Sequence, residues 1–439
     1  MKKTSLFLAL LLIFTLLAGC GGSSNDMAMT EAAAMEEKVN GIIEILKERY
    51  PDAPCALPTE LCLTETSLEN GRYKVTIGND GHIASIFDKQ NGRELLSAPA
   101  ALATREDNNT VWPSWEIKYE DTKLPFTPVG GEVSIKIAEQ GAATVALKIT
   151  HKLGASSFVQ TVRLCTGVDR VDVENEVEWR ERKTLLSAGF PLTVSNPTAT
   201  FDIGLGAETL GNTDSYPYFQ HCVHQWADMT APDGSFGVAI FNDCKYGMEK
   251  PTDDTLRLTL IHTPLAPFKY ISGQDWQDHG RNIFKYGFTS HAGNRDGVAI
   301  MAECFNNPLY AFSVDSHAGQ ASEISFASVN NPEIAIRCIK EEQKGNRLVV
   351  RVQETAGRDH AGVTLTLAAD ILRAIETNGY EEGDGAALHD AHTLTFDMTP
   401  FAVKTFIMET QNAQDAVELG TPIALRNPCR THTRRNLRP

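Results

Sequence analysis

The first candidates for chemistry are carboxylates in the centre of the chain: Asp228, Asp243, Asp275 and Asp278. A retaining glycosidase needs two carboxyl groups about 5 Å apart, one protonated and one ionised. These residue types would therefore suit glycoside hydrolysis. The alternative is that they are turn and surface residues, and the turn-like composition of residues 275–280 favours it. We assign no catalytic residue from the sequence.

Histidines are the second set of reactive groups. His221 and His224 flank Cys222, and these residue types bind soft metals. A strand, however, would place two residues three apart on opposite faces. His389 and His392 lie in a loop-like pattern, and no Cys-x-x-Cys pair occurs. We therefore predict no metal ligands and no cofactor.

Aromatic rings are more informative, because the C–H face of a sugar stacks on an exposed ring while polar neighbours bind its hydroxyls. Tyr216, Tyr218 and Trp226 lie in one loop-rich stretch, and Trp276 lies in a turn. The alternative for each ring is core packing. For His291, which ends a strand pattern, the alternative is a hydrogen bond at the strand end. The candidate carbohydrate-binding residues are Tyr216, Tyr218, Trp226, Asp228, Trp276, Asp278 and His291.

The charge balance excludes one class of partner. The 439-residue chain has 40 Lys and Arg against 56 Asp and Glu, a formal net charge of −16. So acidic a surface repels phosphate backbones, and we predict no nucleic-acid partner. A composition of 42% hydrophobic and 22% charged residues is typical of a globular protein.

The N-terminus has the pattern of an export signal. Two lysines precede an apolar run over residues 6–17, which is short for a bilayer span. A Leu-Ala-Gly triplet then leads directly to Cys20. The pattern resembles the bacterial lipoprotein signal and predicts that Cys20 is lipidated; an ordinary secretory signal is the alternative. We expect an extracytoplasmic, membrane-anchored lipoprotein at the cell surface or outer membrane.

Strands must position the candidate residues. A helix is predicted over residues 29–50, which are rich in Ala, Glu, Lys and Leu. From about residue 65 to residue 410 the sequence has short alternating runs, such as 73–77, separated by turns such as Asn79-Asp80-Gly81. This spacing predicts an all-β fold of antiparallel sandwiches. The expected organisation is a signal peptide (1–20), a tether with a short helix (21–64), a central β-supersandwich (65–295), a smaller β-sandwich (296–410) and a disordered basic tail (411–439).

Several blocks resemble the C-terminal β-domains of the glycoside hydrolase family 38 α-mannosidases. The longest runs from Val223 to His291 and contains VHQWADMTAPDGSFGVAIFNDCKYG and QDWQDHGRNIFKYGFTSH. Two earlier blocks, at 70–95 and 160–192, and a later one, RVQETAG from Arg351, also resemble the family. All of them occur in the same order as in the family. The resemblance implies a large galactose mutarotase-like β-supersandwich followed by a smaller sandwich. It also implies a mannose-containing glycan as the partner.

The same resemblance points away from catalysis by this chain on its own. The family's zinc ligands and nucleophilic Asp belong to a preceding domain, and residues 21–64 contain no His. The family usually has Arg at the position of His262, Glu near Gln220 and Lys near Ser187. We expect a carbohydrate-binding or accessory protein lacking the zinc-dependent domain. Two alternatives stay open: an active α-mannosidase whose catalytic half and zinc come from another chain, and a mutarotase-like epimerase that uses a His and a carboxylate.

Overall fold

The computed structural model describes residues 61–109, 113, 115, 117–215, 219–264, 277–309 and 325–411. These residues form antiparallel β-sheets with one α-helix, which confirms the predicted all-β class. The predicted signal peptide with Cys20, the helix expected over 29–50 and the C-terminal tail lie outside the described residues. Among the described residues, no helix has the length and apolar character that crossing a membrane requires.

The first and larger unit holds twenty of the described strands and a short 3-10 helix (Tyr119–Lys123). The strands are β1 (Cys62–Leu63), β2 (Ser67–Glu69), β3 (Tyr73–Ile77), β4 (Ile83–Asp88), β5 (Arg93–Glu94), β6 (Ala101–Glu106), β7 (Thr127–Pro128), β8 (Ser134–Gln140), β9 (Thr144–Leu153), β10 (Ser156–Cys165), β11 (Val171–Trp179), β12 (Thr184–Pro191), β13 (Ala199–Asp202), β14 (Ala207–Leu210), β15 (His221–Cys222), β16 (Trp226–Thr230), β17 (Gly237–Asn242), β18 (Gly247–Thr252), β19 (Thr255–Thr263) and β20 (Gly280–His291).

Three sheets make up this unit. One has five strands in the order β1-β2-β3-β4-β5, the second has nine in the order β14-β13-β16-β17-β20-β11-β10-β9-β8, and the third has six in the order β15-β18-β19-β12-β6-β7. Alternation defines their inner faces, because every second residue of β11 is buried from Val171 to Trp179. Buried polar groups are paired: Gln160 donates to Asn175 Oδ1 and to Tyr286 Oη, each at 2.9 Å.

The smaller unit is a two-sheet sandwich. One sheet has the order β21-β24-β28-β27 and the other the order β22-β23-β29-β25-β26. Phe396 and Phe406 lie between them with ring centroids 4.9 Å apart. The strands are β21 (Ala327–Val329), β22 (Ile334–Glu341), β23 (Leu348–Glu354), β24 (His360–Leu367), β25 (Asp370–Thr377), β26 (Gly385–Ala386), β27 (Leu388–His389), β28 (Thr393–Met398) and β29 (Val403–Gln411).

One helix departs from the expectation of strands alone between residues 65 and 410. Helix α1 (Val298–Asn306) links the two units. Its residues Val298, Ala302 and Phe305 are buried at helical spacing and pack on Trp226, Ala239 and Phe241, on the outer face of the nine-stranded sheet. The segment is nine residues long and mostly apolar, and so short an apolar run does not distinguish a helix from a buried strand.

Two buried histidines stack against each other in the larger unit. The ring centroids of His82 and His151 are 5.2 Å apart with an interplanar angle of 17°. The Nδ1 atoms of both rings lack a hydrogen-bond partner among the described residues. Burial lowers the pKa of both histidines below the usual value, and repulsion from His82 lowers the pKa of His151 further. Burial in the fold therefore favours the neutral form of both rings.

Acidification is expected to destabilise the protein through this stacked pair. Because the folded-state pKa of each histidine lies below its ordinary value of 6.5, the unfolded chain binds protons first as the pH falls. The contribution is complete above about pH 6.5 and is lost as the pH falls through the folded-state pKa values. The midpoint of thermal unfolding, measured from about pH 8 to about pH 5, should decrease more steeply in the wild type than in a His82→Gln/His151→Gln variant. Equal slopes in the two proteins would contradict this assignment.

Candidate functional site

The outer face of the nine-stranded sheet brings together three of the predicted carbohydrate-binding residues. Trp226 and Asp228 are two residues apart on β16 and pair with Phe241 and Ala239 of β17. His291 ends β20 and pairs with Gly237 on the other side of β17. Directly paired residues point to the same side of a sheet. All three side chains therefore lie on the face that α1 partly covers.

Of the other four candidates, the structure describes one, Asp278. Tyr216, Tyr218 and Trp276 lie outside the described residues. Asp278 is exposed and precedes β20, whereas His291 ends that strand. At about 3.3 Å per residue, the length of β20 separates the two by roughly 40 Å. A site containing both Asp278 and His291 is therefore excluded by the length of one strand.

Asp228 and His291 form an enclosed hydrogen-bonded pair. His291 Nε2 lies 2.7 Å from Asp228 Oδ1, and the residues are 6% and 1% exposed, respectively. His291 Nδ1 accepts the backbone N–H groups of Gly293 and Arg295, at 3.1 and 3.2 Å. The proton therefore resides on Nε2, which donates to Asp228. The pair holds the turn that leads into α1. His291 thus makes hydrogen bonds at the end of its strand, which was the alternative to a sugar contact.

Two adjoining cavities lie where the outer face of the nine-stranded sheet, α1 and the smaller sandwich meet, a region we call the junction. Each has a volume of about 270 Å³, and Trp226 and Phe401 contribute to both walls. The helix cavity extends along the start of α1 from Arg295. The hairpin cavity extends along the β13–β14 turn. Its polar lining consists of Asp202, His224, Gln225, Arg337, Gln353 and Thr355.

Glu354, at the end of β23, holds the wall of the junction in place. It is fully buried, and its carboxylate accepts the backbone N–H groups of Ala356, Gly357 and Phe401 at 2.7, 2.8 and 2.7 Å. Phe401 has a positive φ of 57°, which is uncommon for a residue with a side chain. A Cβ at Gly357, where φ is 77°, would lie 2.8 Å from the Phe401 ring. Glu354 thus fixes the turn and the ring that face the larger unit.

The same carboxylate belongs to the one three-residue group of potential metal ligands found among the described residues. Ligand atoms of Glu333, Glu354 and His360 all lie within 4.8 Å of one another. The Glu333 carboxylate, however, already pairs with Arg358 Nη1 at 2.9 Å, and Glu354 accepts three backbone N–H groups. His360 Nε2 lies 3.3 Å from both carboxylates. A cationic arginine and these N–H donors do not suit zinc, so the cluster is suited to stabilising the junction.

A second polar surface lies on the outer face of the six-stranded sheet. Arg105 and Arg257 both bind the Glu249 carboxylate, at 2.7 and 2.9 Å. The two guanidinium carbons lie 4.5 and 4.1 Å from the centroid of the Phe126 ring. His262 Nε2 contacts Asp107, which is buried. The charged side chains of this face are therefore paired with one another.

The three positions at which the sequence departs from family 38 share this outer face. Ser187 pairs with Thr259, and Gln220 donates to the Thr259 hydroxyl at 2.7 Å. His262 pairs with Leu185 two positions along the same strand as Ser187. Ser187 Oγ is buried without a hydrogen-bond partner among the described residues. The departures are thus clustered in space, which the sequence alone did not indicate.

Comparisons with known proteins agree with these two units. The family described as glycosyl hydrolases family 38 C-terminal domain matches residues 68–269. The glycosyl hydrolases family 38 C-terminal beta sandwich domain matches residues 333–406. The chain belongs to glycosyl hydrolase family 38 by these C-terminal domains. One match lies in each unit, and together they confirm the resemblance drawn from the sequence blocks.

The similar proteins are considerably longer than this chain. Alpha-mannosidase G of Dictyostelium discoideum is 27% identical over 381 residues, covering 82% of this chain and 34% of that protein. Alpha-mannosidase 2C1 of Homo sapiens is 28% identical over 364 residues, covering 79% and 34%. The chain spans about a third of the length of these relatives. The crystal structure of an alpha-mannosidase from Enterococcus faecalis V583 has a TM-score of 0.66 at 19% identity, covering 80% of this chain and 43% of that one, which supports the fold.

Several residues of the junction were not predicted as site residues from the family 38 blocks. Glu354 was noted only as part of the RVQETAG block. The sequence feature that could have pointed to its role is the glycine turn at Gly357, which follows it. His224 was weighed as a metal ligand, although its ring stacks on Tyr246 with centroids 6.0 Å apart. Asp202, which accepts the backbone N–H groups of Gly204 and Gln225 at 2.9 Å each, gave no signal beyond its position before a glycine-containing turn.

Proposed function

We propose that this family 38 chain is a carbohydrate-binding or accessory protein, with a mannose-containing glycan as its partner. The observation that carries the proposal is the match of both C-terminal family domains over two packed units with a polar cleft between them. Clefts at domain junctions are common places for small ligands. The relatives that the chain resembles are named as α-mannosidases, which supports mannose as the sugar.

The proposal includes the place where the protein acts. An export signal ending at Cys20 supports lipidation of that residue and attachment outside the cytoplasm, at the cell surface or in the outer membrane. A lipid at this position would leave the Gly-Gly-Ser-Ser segment after it as a tether to the β-units. Membrane fractionation of a Cys20→Ser variant tests this part, since the variant should be recovered in soluble fractions.

We do not assign catalysis to the described residues. The Asp228–His291 pair is enclosed and held by backbone groups, and the Glu333–Glu354–His360 cluster does not suit zinc. The alternative, an α-mannosidase whose zinc-dependent half is supplied by another chain, is favoured by one observation: the relatives are about three times as long as the matched region. A mutarotase-like epimerase that uses a His and a carboxylate stays a further alternative, although the enclosed Asp228–His291 pair does not suit it.

The purified full chain is expected to bind mannose-containing glycans without hydrolysing α-mannosides. Binding should be measured on a glycan array and by calorimetry with α1,2-linked mannobiose. Hydrolysis should be followed with p-nitrophenyl α-mannoside, with added zinc and with a chelator. Turnover that the chelator abolishes would overturn the accessory role, because the chain would then hydrolyse α-mannosides without a second chain. Absence of binding to every mannose-containing glycan would overturn the proposal as a whole.

A further inference from the structure

We propose that the hairpin cavity is the sugar-binding subsite and accepts one neutral hexose residue of a glycan. The inference rests on the proposed function, and it assigns that function to a defined place. Asp202 and Gln225 of the larger unit line one side of the cavity. Arg337 and Gln353 of the smaller unit line the other side. Its volume of about 270 Å³ lies just below the range of about 300–1,000 Å³ that is usual for ligand pockets, which suits a single sugar ring.

The mouth of the cavity exposes apolar groups that a sugar ring could cover. Ile203 and Leu205, at the tip of the β13–β14 hairpin, are 47% and 69% exposed. Tyr246 is 55% exposed and stacks on His224, which lines the cavity. An ideal Cβ on Gly204 would lie 3.7 Å from His224 Nδ1, so the hairpin tip and the stacked rings are adjacent. A pyranose uses such a surface for its C–H face.

The floor of the cavity offers the donors and acceptors that hydroxyl groups need. Gln353 is 2% exposed, and its Oε1 accepts from Arg337 Nε at 2.8 Å. Arg337 Nη1 pairs with Glu303, whereas its Nη2 has no partner among the described residues and is free to donate. Each Asp202 oxygen accepts one backbone N–H and retains a lone pair. Donors and acceptors therefore lie on both sides of the cavity.

The charges of the cavity favour a neutral ligand. The Arg337 guanidinium is balanced by Glu303, and Asp202 Oδ2 lies 3.6 Å from His224 Nδ1. No unbalanced cation is available among the lining residues that the structure describes, so a phosphate or a uronate would gain little. A neutral hexose, whose hydroxyls both donate and accept, fits this balance better than an anionic sugar.

The test compares exposed side chains inside and outside the subsite. In the full chain, Tyr246→Ala and Leu205→Ser should each weaken binding of α1,2-linked mannobiose roughly five- to tenfold, because each removes a surface for the sugar ring. Tyr380→Ala is the matched control, because Tyr380 is 85% exposed on the smaller sandwich, away from the cavity, and should leave the affinity unchanged. Calorimetry gives the affinities, and saturation-transfer NMR shows whether the ring protons of the sugar contact the protein.

The outcomes separate this inference from the proposed function. Weaker binding in both cavity variants, with the control unchanged, supports the subsite. If the wild type binds mannobiose and both cavity variants bind equally well, the subsite is wrong while the carbohydrate-binding function stands. If the wild type binds no mannose-containing glycan, the proposed function fails and the subsite fails with it. Thermal unfolding of each variant distinguishes lost contact from lost fold.

Discussion

Replacing Glu354 by alanine is expected to lower the free energy of unfolding of the smaller sandwich by about 3–5 kcal/mol. The substitution leaves the buried backbone N–H groups of Ala356, Gly357 and Phe401 without their acceptor. It also removes the group that holds Phe401 at its positive φ. Calorimetry should show a lower midpoint, and hydrogen exchange should show faster exchange in β23 and β29.

Two further variants make the Glu354 result specific. Glu354→Gln keeps the shape but replaces one accepting oxygen by an N–H₂ group that faces N–H donors, so an intermediate loss is expected. Glu382→Gln alters an exposed carboxylate of the same sandwich and should change stability by less than about 0.5 kcal/mol. If Glu354→Ala were as stable as this control, the role assigned to Glu354 would be wrong. Because Phe401 lines the hairpin cavity, Glu354→Ala should also weaken sugar binding.

Alternation of polar and apolar residues was sufficient to predict most strands and the fold class. The alternating run over residues 73–77, for example, is β3. Alternation did not predict that β1–β5 form a sheet of their own beside the nine- and six-stranded sheets. Alternation gives the face of each residue within a strand but not the partner strand, and partner choice depends on contacts distant in sequence. Helix α1 was missed because nine apolar-rich residues satisfy either pattern.

The candidate site was predictable only in part, for the same physical reason. Trp226 was assigned to a loop-rich stretch, whereas it begins β16 two residues before Asp228, and the pairing through β17 brings His291 beside both. Asp278 and His291 were both candidate residues, but the extended strand β20 lies between them. The junction residues Glu354 and Phe401 are joined by a hydrogen bond across 47 positions. Whether the predicted residues contact a sugar stays a prediction that the binding experiments address.

Removing Glu249 is expected to produce the second large loss of stability, in the larger unit. Arg105 and Glu249 have side chains only 1% and 4% exposed, and Arg257 shares the same carboxylate. Glu249→Ala would leave two guanidinium groups against the Phe126 ring without a counter-charge. Burial already lowers the pKa of Arg257, and Glu249 opposes that shift. Breaking a buried ion pair costs about 3–5 kcal/mol. Urea unfolding should therefore show a free energy of unfolding of the larger unit that is lower by this amount.

The matched variants decide whether charge or packing is responsible for the Glu249 effect. Glu178→Ala breaks an exposed pair with Arg180 and should cost less than about 1 kcal/mol. A triple Arg105→Met/Glu249→Leu/Arg257→Met variant removes all three charges together and should recover most of the stability, because apolar residues of similar volume replace buried ions well. Failure of the triple variant to recover would show that the network is required for the shape of this face. In that case the departures from the family at Ser187 and His262 would lie on a surface whose geometry depends on Glu249.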